Sequence, residues 1–358
     1  MSKVIGEGTY GCVHRPPLKC ETGTNVDYKN KISKVMTTKD ADSELSEYSL
    51  IDQADPKFKF HMTTPIECNP EKNANTLKAI DKCSESFQSR DIDKYKLLIM
   101  PDGGLDLNNY AKKTLSRKQI DIFWIEAQRI FFGLKVMKDT GLVHHDFKPH
   151  NIVYNEKNQR TNYIDFGFMK KNSEIITQCK QSIYRDGKAH WSFPYEFRFV
   201  NKDEFLDSFN KETFEGYFKN EDEQLDTFIE YVTATDERQE FKETFMKQVY
   251  LMLKYDLRSE TYDAFLQKSV ETIDVYGVGL SFLYVLKRFA YKMDPKIVAD
   301  LNELFLNMIT PRVSLRYSAD VALNRYEAII ESFGLAAKYK RRFVNHELVK
   351  LAKIQPRL

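Results

Sequence analysis

Apolar and polar positions change their period along this chain of 358 residues. Residues 1 to 36 run in short alternating stretches broken by glycine and proline. They predict a strand, a glycine turn, a second strand, a polar hairpin holding Pro16, Pro17 and Gly23, and a strand around KISKVM. A helical period follows from about Ala41 to Ala54. Residues 55 to 94 are mixed, with Pro56, Pro65 and Pro70 as breakers, and YKLLIM at 95 to 100 reads as a buried strand that PDGG at 101 to 104 ends.

At Ser116 the pattern turns helical. S-R-K-Q offers a capping box, apolar residues recur at Ile120, Phe123, Trp124, Ala127, Ile130, Phe131, Leu134 and Val136, and Gly141 is a stop signal, so a long buried helix is predicted. NIVYN and NYID read as short strands flanking a turn at 155 to 162. From about Asp203 nearly every segment has a helical period. A strand-rich first third followed by a helical remainder predicts an α+β protein.

Composition narrows the class. Hydrophobic residues make up 42% and aromatics 13%, enough for one large core or two lobes. Lys and Arg number 54 against 52 Asp and Glu, a formal charge of +2 that points to no nucleic-acid partner. Cys12, Cys20, Cys68, Cys83 and Cys179 are odd in number and form no C-x-x-C pair, so reduced thiols in a cytosol-like compartment are expected. The sequence MSKVIGEGTYGCV has no apolar signal stretch and no run of 18 apolar residues occurs, so neither secretion by that route nor a membrane span is expected. Charge is uneven, however: residues 201 to 263 hold 17 acidic and 8 basic residues among spaced Phe and Tyr, and KYKRR at 338 to 342 begins a basic end. Two or more amphipathic helices are predicted in the acidic block; its charge suits either a solvated face or a partner surface.

Three stretches carry candidate chemistry. In Ile5-Gly6-Glu7-Gly8-Thr9-Tyr10-Gly11-Cys12-Val13, the glycines at 6, 8 and 11 let backbone amides close over phosphate oxygens, with Val13 as an apolar roof for a base. A dinucleotide fold would need a helix directly after the glycines, where this sequence has a strand and two prolines. Lys34, on the KISKVM strand, can neutralise α- and β-phosphates if a carboxylate fixes it; Glu47 is the expected partner and Glu44, one turn earlier, the alternative. In His144-His145-Asp146-Phe147-Lys148-Pro149-His150-Asn151, an aspartate can accept the proton of an attacking hydroxyl, Lys148 can steady the γ-phosphate, and Asn151 can bind a metal. Asp165 of Asp165-Phe166-Gly167 can join Asn151 in holding Mg²⁺, a hard cation that takes oxygen ligands.

Over about residues 4 to 330 the chain resembles eukaryotic-type serine/threonine protein kinases. The glycine run, Lys34, D-x-K-x-x-N at 146 to 151, Asp165 to Gly167, and Pro194-Tyr195-Glu196 in place of A-P-E carry the likeness. D-V-Y-G-V-G from Asp274 resembles the segment whose aspartate anchors the catalytic loop, and Arg316 resembles the arginine that pairs with the A-P-E glutamate, here Glu196. The resemblance implies a small N-lobe at 1 to 100, a helical C-lobe at 101 to 335 with an insertion at about 201 to 263, and a basic helix or tail at 336 to 358. It implies ATP and Mg²⁺ as cofactors and a protein hydroxyl as acceptor. The adenine would bond to hinge backbone near Ile99, Met100 and Gly103, while Asp106 suits either ribose or the N-cap of the next helix. Lys148 favours Ser/Thr over Tyr, and Phe168 resembles kinases that favour serine.

Departures concern control and pocket shape. His145 replaces the usual Arg, Ile32 stands where a small residue faces adenine, and Ala189 replaces a Thr. Glu196 and Asp274 are separated by 77 residues, and a second insertion lies at 68 to 92. A neutral histidine is a poor phosphate receptor, so the segment from Phe168 to Phe193 is expected to hold its shape without phosphate on Ser173, Thr177, Ser182 or Tyr184. GTYGCVHRPPLKC, ISKVM and IMPDGGLDL resemble divergent kinases of large DNA viruses, which implies a site in the host cytoplasm or nucleus, or in the virion. An acidic insertion implies a basic protein substrate. The competing readings are a pseudokinase scaffold that binds partners through that insertion, and a small-molecule kinase.

Overall fold

The computed structural model describes residues 2–8, 11–22, 25–83, 87–188, 190–210 and 222–344. The chain divides into two compact units, Met1–Gly104 with Ile164–Gly167, and Leu105–Tyr163 with Phe168–Leu358. Ala189 and the end of the basic tail lie outside the described residues, as does the 211–221 part of the acidic block.

The first unit is a five-stranded antiparallel sheet in the order β1-β2-β3-β5-β4, built from β1 (Lys3–Gly8), β2 (Gly11–Arg15), β3 (Lys31–Thr37), β4 (Ile66–Cys68) and β5 (Tyr95–Pro101). The unbroken apolar run of β5 reflects burial on both faces. Tyr95, Leu97 and Ile99 join Cys12 and Val35 in one cluster, whereas Leu98 and Met100 join Met36 and Ala41 in another. Ala41 belongs to α1 (Thr38–Ala54), which begins three residues before the helical period does because Thr37 caps the amide of Asp40. The insertion at 68 to 92 adds α2 (Ala74–Ile80) and a short 3₁₀ turn.

The cysteine expectation is corrected here. Cys12 is bonded to Cys83 and Cys20 to Cys68, leaving Cys179 as a buried free thiol. The partners are 71 and 48 residues apart. Spacing alone therefore gives no hint of the pairing, which arises because the loop after β2 runs beside residues 68–71, with Glu21 N bonded to Asn69 O and Glu71 N to Lys19 O. The cysteines thus give no support to a reducing compartment.

The second unit is mainly helical. Its small sheet orders β6 (Leu105–Asp106), β8 (Ile152–Asn155) and β9 (Arg160–Tyr163), and β7 (Leu142–Val143) pairs with β10 (Lys170–Lys171). Helices α3 (Leu107–Tyr110) and α4 (Arg117–Thr140) come first. The capping box forms, with Ser116 Oγ accepting from Gln119 N and Gln119 Oε1 accepting from Ser116 N, and Gly141 ends α4 at φ 68°. There follow α5 (Asn172–Lys180), α6 (Lys202–Asp207), α7 (Glu223–Val232), α8 (Arg238–Leu251), α9 (Tyr262–Phe289), α10 (Pro295–Ile309) and α11 (Ala319–Ser332). The α9 region is long and apolar enough to cross a membrane by composition, but it is the buried central helix of this unit. An aromatic stack of Phe131, Phe282, Phe305 and Tyr326 fills the space between α4, α9, α10 and α11. The described part of the basic end folds back on α4, where Lys338 pairs with Asp121 and Arg341 with Glu126.

Candidate active site

In the first unit, β1 and β2 meet at the glycine turn, where Gly8 pairs with Gly11. A Cβ on Gly11 would lie 2.7 Å from Cε of Lys34, so glycine is needed for the lysine side chain to pass over β2. Lys34 pairs with Val13 across β2 and Leu98 across β5, which points it to the face covered by α1. Its Nζ lies 2.5 Å from Oε2 of Glu44, and both side chains are largely buried.

Glu44, rather than the expected Glu47, is therefore the partner. Helix α1 turns Ala41, Glu44, Tyr48 and Ile51 inward, one consistent face at helical spacing, and Glu47 stands off that face. Burial alone would lower the Lys34 pKa, but the carboxylates of Glu44, Asp165 and Glu47 outweigh it and the pKa is raised. Burial pushes Glu44 upward against the pull of Lys34. With the ammonium held at 2.5 Å and a second carboxylate nearby, we read the pair as ionised.

Asp165 also belongs to this unit, is exposed, and has φ 65°. Its neighbour Phe166 is buried edge-on against Tyr48, with ring centroids 5.1 Å apart, and also meets the ring of His61. His61 is itself held by Asp55 and Asp52 at 2.9 and 2.7 Å. No sequence motif marks this support for Phe166, because His61 and Asp55 lie in the proline-broken stretch where periodicity is lost. Ile99 and Met100 are buried within β5, Ile32 packs on the Leu98 and Met100 cluster, and Ile5 is exposed.

The second unit builds the other cluster. Lys148 Nζ donates to both carboxylate oxygens of Asp146 at 3.0 and 2.8 Å, and Asn151 Nδ2 donates to Asp146 O and Oδ2 at 2.8 and 2.9 Å. The loop is hung from α9, where Asp274 accepts from the amides of His144 and His145 at 2.7 and 2.9 Å. Burial pushes the Asp274 pKa up to about 7 even with those two donors. A Cβ on Gly277 would lie 2.5 Å from the carbonyl oxygen of Phe147, so this glycine lets α9 approach the loop. The carboxylate of Asp106 accepts from the backbone and side chain of Asn109, which makes it the N-cap of α3.

His145, at φ 72°, is buried, and its Nε2 lies 2.6 Å from the hydroxyl of Tyr184. Burial lowers its pKa to about 4, so the ring is neutral near pH 7. Tyr184 is fully buried as well, so it serves as an internal partner; Ser173 and Thr177 stand exposed on α5. Glu196 and Arg316 form a two-pronged pair at 2.5 and 2.8 Å with neither side chain exposed.

The acidic block has a role that its composition did not reveal. Helix α7 and its N-cap Asp222 clamp the chain on both sides of Glu196: Gln224 Oε1 accepts from Trp191 N at 3.0 Å, Tyr231 stacks on Trp191 with ring centroids 4.1 Å apart, and Asp222 pairs with Arg198 at 2.5 Å. Among the described residues of the block, Asp226 and Glu230 of α7 and Glu237 just before α8 are paired to Lys242, Arg238 and Lys287.

No protein-family model matches the chain. Over 137 residues it is 26% identical to serine/threonine-protein kinase prpf4B of Dictyostelium discoideum. That stretch covers 36% of this chain and 16% of the relative, so the likeness is partial and reaches no further than a kinase relationship.

Proposed function

We propose that the chain is an ATP-dependent serine/threonine protein kinase. The observation that carries this reading is the Asp146 cluster: one buried carboxylate, a cation on it, and an amide fixing its orientation, all on a loop hung from Asp274. In this role Asp146 orients a substrate hydroxyl and takes its proton as the oxygen bonds to the γ-phosphorus of ATP and the bond to the leaving ADP breaks. Lys148 offsets charge on the transferred group, and Lys34, held by Glu44, does so for the α- and β-phosphates.

Each unit, taken by itself, offers an oxygen donor of the kind Mg²⁺ takes. Asp165 presents an exposed carboxylate, and since the amide nitrogen of Asn151 is committed to Asp146, the donor left to offer a cation is its oxygen. Bound Mg²⁺ would neutralise phosphate charge. Because Asp226 and Glu230 of α7 are paired, selection of a basic substrate would rest on other acids, such as Glu223 of α7 and Glu240 of α8.

Labelled ATP with Mg²⁺ and a generic protein substrate tests the reading. Asp146→Asn and Asp165→Asn should each reduce transfer by more than about 100-fold with an unchanged circular dichroism spectrum. Wild-type turnover in Asp146→Asn would refute the role of that residue, and an inactive wild-type protein would return the chain to the scaffold reading.

A further inference from the structure

Cys12, His14 and Cys83 gather in the first unit with one ligand atom from each within 4.8 Å of the others. Cys12 and His14 are fully buried on one face of β2, and Cys83, just after α2, is partly exposed. We propose that these three residues form a redox-gated site for a thiolate-preferring divalent cation of the zinc class, closed when the disulfide forms and open when it is reduced. The proposal stands independently of any kinase activity.

The histidine is the pointer. Its Nδ1 lies 3.3 Å from Cys12 O and its Nε2 lies 3.2 Å from Ala79 O. A neutral imidazole has one N–H, so it can satisfy one of those carbonyls, and the other ring nitrogen turns a lone pair towards an oxygen. Donation from Nδ1 to a backbone carbonyl is the arrangement that fixes a metal-binding imidazole and frees Nε2 as the ligand. That Nε2 lies 3.7 Å from Cys83 Sγ, close to the roughly 3.5 Å edge between nitrogen and sulfur around a tetrahedral zinc ion. The Ala79 carbonyl, 3.2 Å from Nε2, is within reach as a fourth donor. Two thiolates and an imidazole suit zinc over magnesium or calcium.

Opening the site consumes two electrons and two protons. A dithiol reductant supplies them and closes to its own disulfide, leaving Cys12 and Cys83 as thiols. Cation binding then displaces both thiol protons. Either occupant ties β2, which carries Gly11 and Val13 on either side of Cys12, to the end of α2. The cation would therefore replace the disulfide as a staple behind the glycine turn.

Cobalt(II) is the probe. Protein reduced with a phosphine and freed of it without oxygen should bind one equivalent of Co²⁺ with a thiolate-to-cobalt absorption band, and Zn²⁺ should bleach it. The oxidised protein should give no band. The Cys20→Ser/Cys68→Ser variant should behave as wild type, whereas Cys12→Ser and Cys83→Ser should lose the band. His14→Gln keeps both cysteines and can fold with its disulfide intact; after reduction it should bind cobalt at least about 10-fold more weakly. No band in reduced wild type would overturn the proposal, as would a band equally strong in His14→Gln or in either single-cysteine variant.

Discussion

Acidification should cost this protein stability through His145 by an amount the structure allows to be estimated. The imidazole is 1% exposed, bonded to Tyr184, and its pKa falls from 6.5 to about 4. An unfolded chain takes up this proton near pH 6.5 and the folded chain near pH 4, so between those values the unfolded state binds more protons. The contribution is complete above pH 6.5, falls as the pH is lowered, and is gone by about pH 4. A shift of 6.5 − 4 = 2.5 corresponds to about 3 kcal/mol at about 1.4 kcal/mol per pH unit. His14, which is buried, half-buried His150 and the more exposed His190 also have pKa values lowered chiefly by desolvation and contribute in the same direction, so the measurement must be a difference between proteins. His145→Asn is the suitable variant, because asparagine tolerates the left-handed φ of 72° and carries no titrating group. Urea unfolding at steps from pH 7.5 to 4.5, which stops short of the folded pKa, should show wild type losing about 2.5 kcal/mol more than His145→Asn. Parallel pH profiles would refute a buried neutral imidazole at this position.

Removing the Arg316 guanidinium should strand a fully buried carboxylate, so Arg316→Ala is expected to cost about 3–5 kcal/mol in urea unfolding, and Arg316→Lys should recover little because lysine cannot match the two-pronged contact. On the kinase reading, phosphatase-treated protein and the Ser173→Ala/Thr177→Ala variant should keep most of their transfer to an added substrate, as both side chains are exposed and Tyr184 already occupies His145; a large drop restored by preincubation with ATP would contradict this.

How far the sequence could be read depended on the range of the interaction. The α4 helix was legible from end to end because its cap, period and stop are local signals, and β5 was legible because burial on both faces leaves an unbroken apolar run. The position of Lys34 followed from strand parity. Its partner did not, since Glu44 and Glu47, three residues apart, differ by only about 60° around α1, and which of them faces Lys34 is set by where Thr37 starts the helix. Cysteine pairing and the support of Phe166 by His61 rest on contacts between distant segments that leave no periodic trace. Tyr184 was grouped with surface hydroxyls because a single tyrosine in an irregular segment carries no sign of burial.

The acidic block, too, is held by contacts that leave no local trace. Composition records charge but not pairing, and a helix rich in carboxylates reads alike whether those groups face a partner or a lysine of the same chain. In the structure three of the acids around α7 and α8 meet basic residues, and the contacts left over point inward, from Gln224, Asp222 and Tyr231 to Trp191 and Arg198. At the other end of the same segment, Tyr184 is tied to His145, and Lys170 to Asp186. A phosphate-gripping arginine would hold such a segment only while the phosphate is present; these non-covalent contacts have both partners in the chain itself and need no modification. On the kinase reading, the buried neutral histidine and the helix clamped to the segment's far end would be two parts of one arrangement, in which built-in contacts rather than a phosphate held at position 145 maintain the shape of the segment.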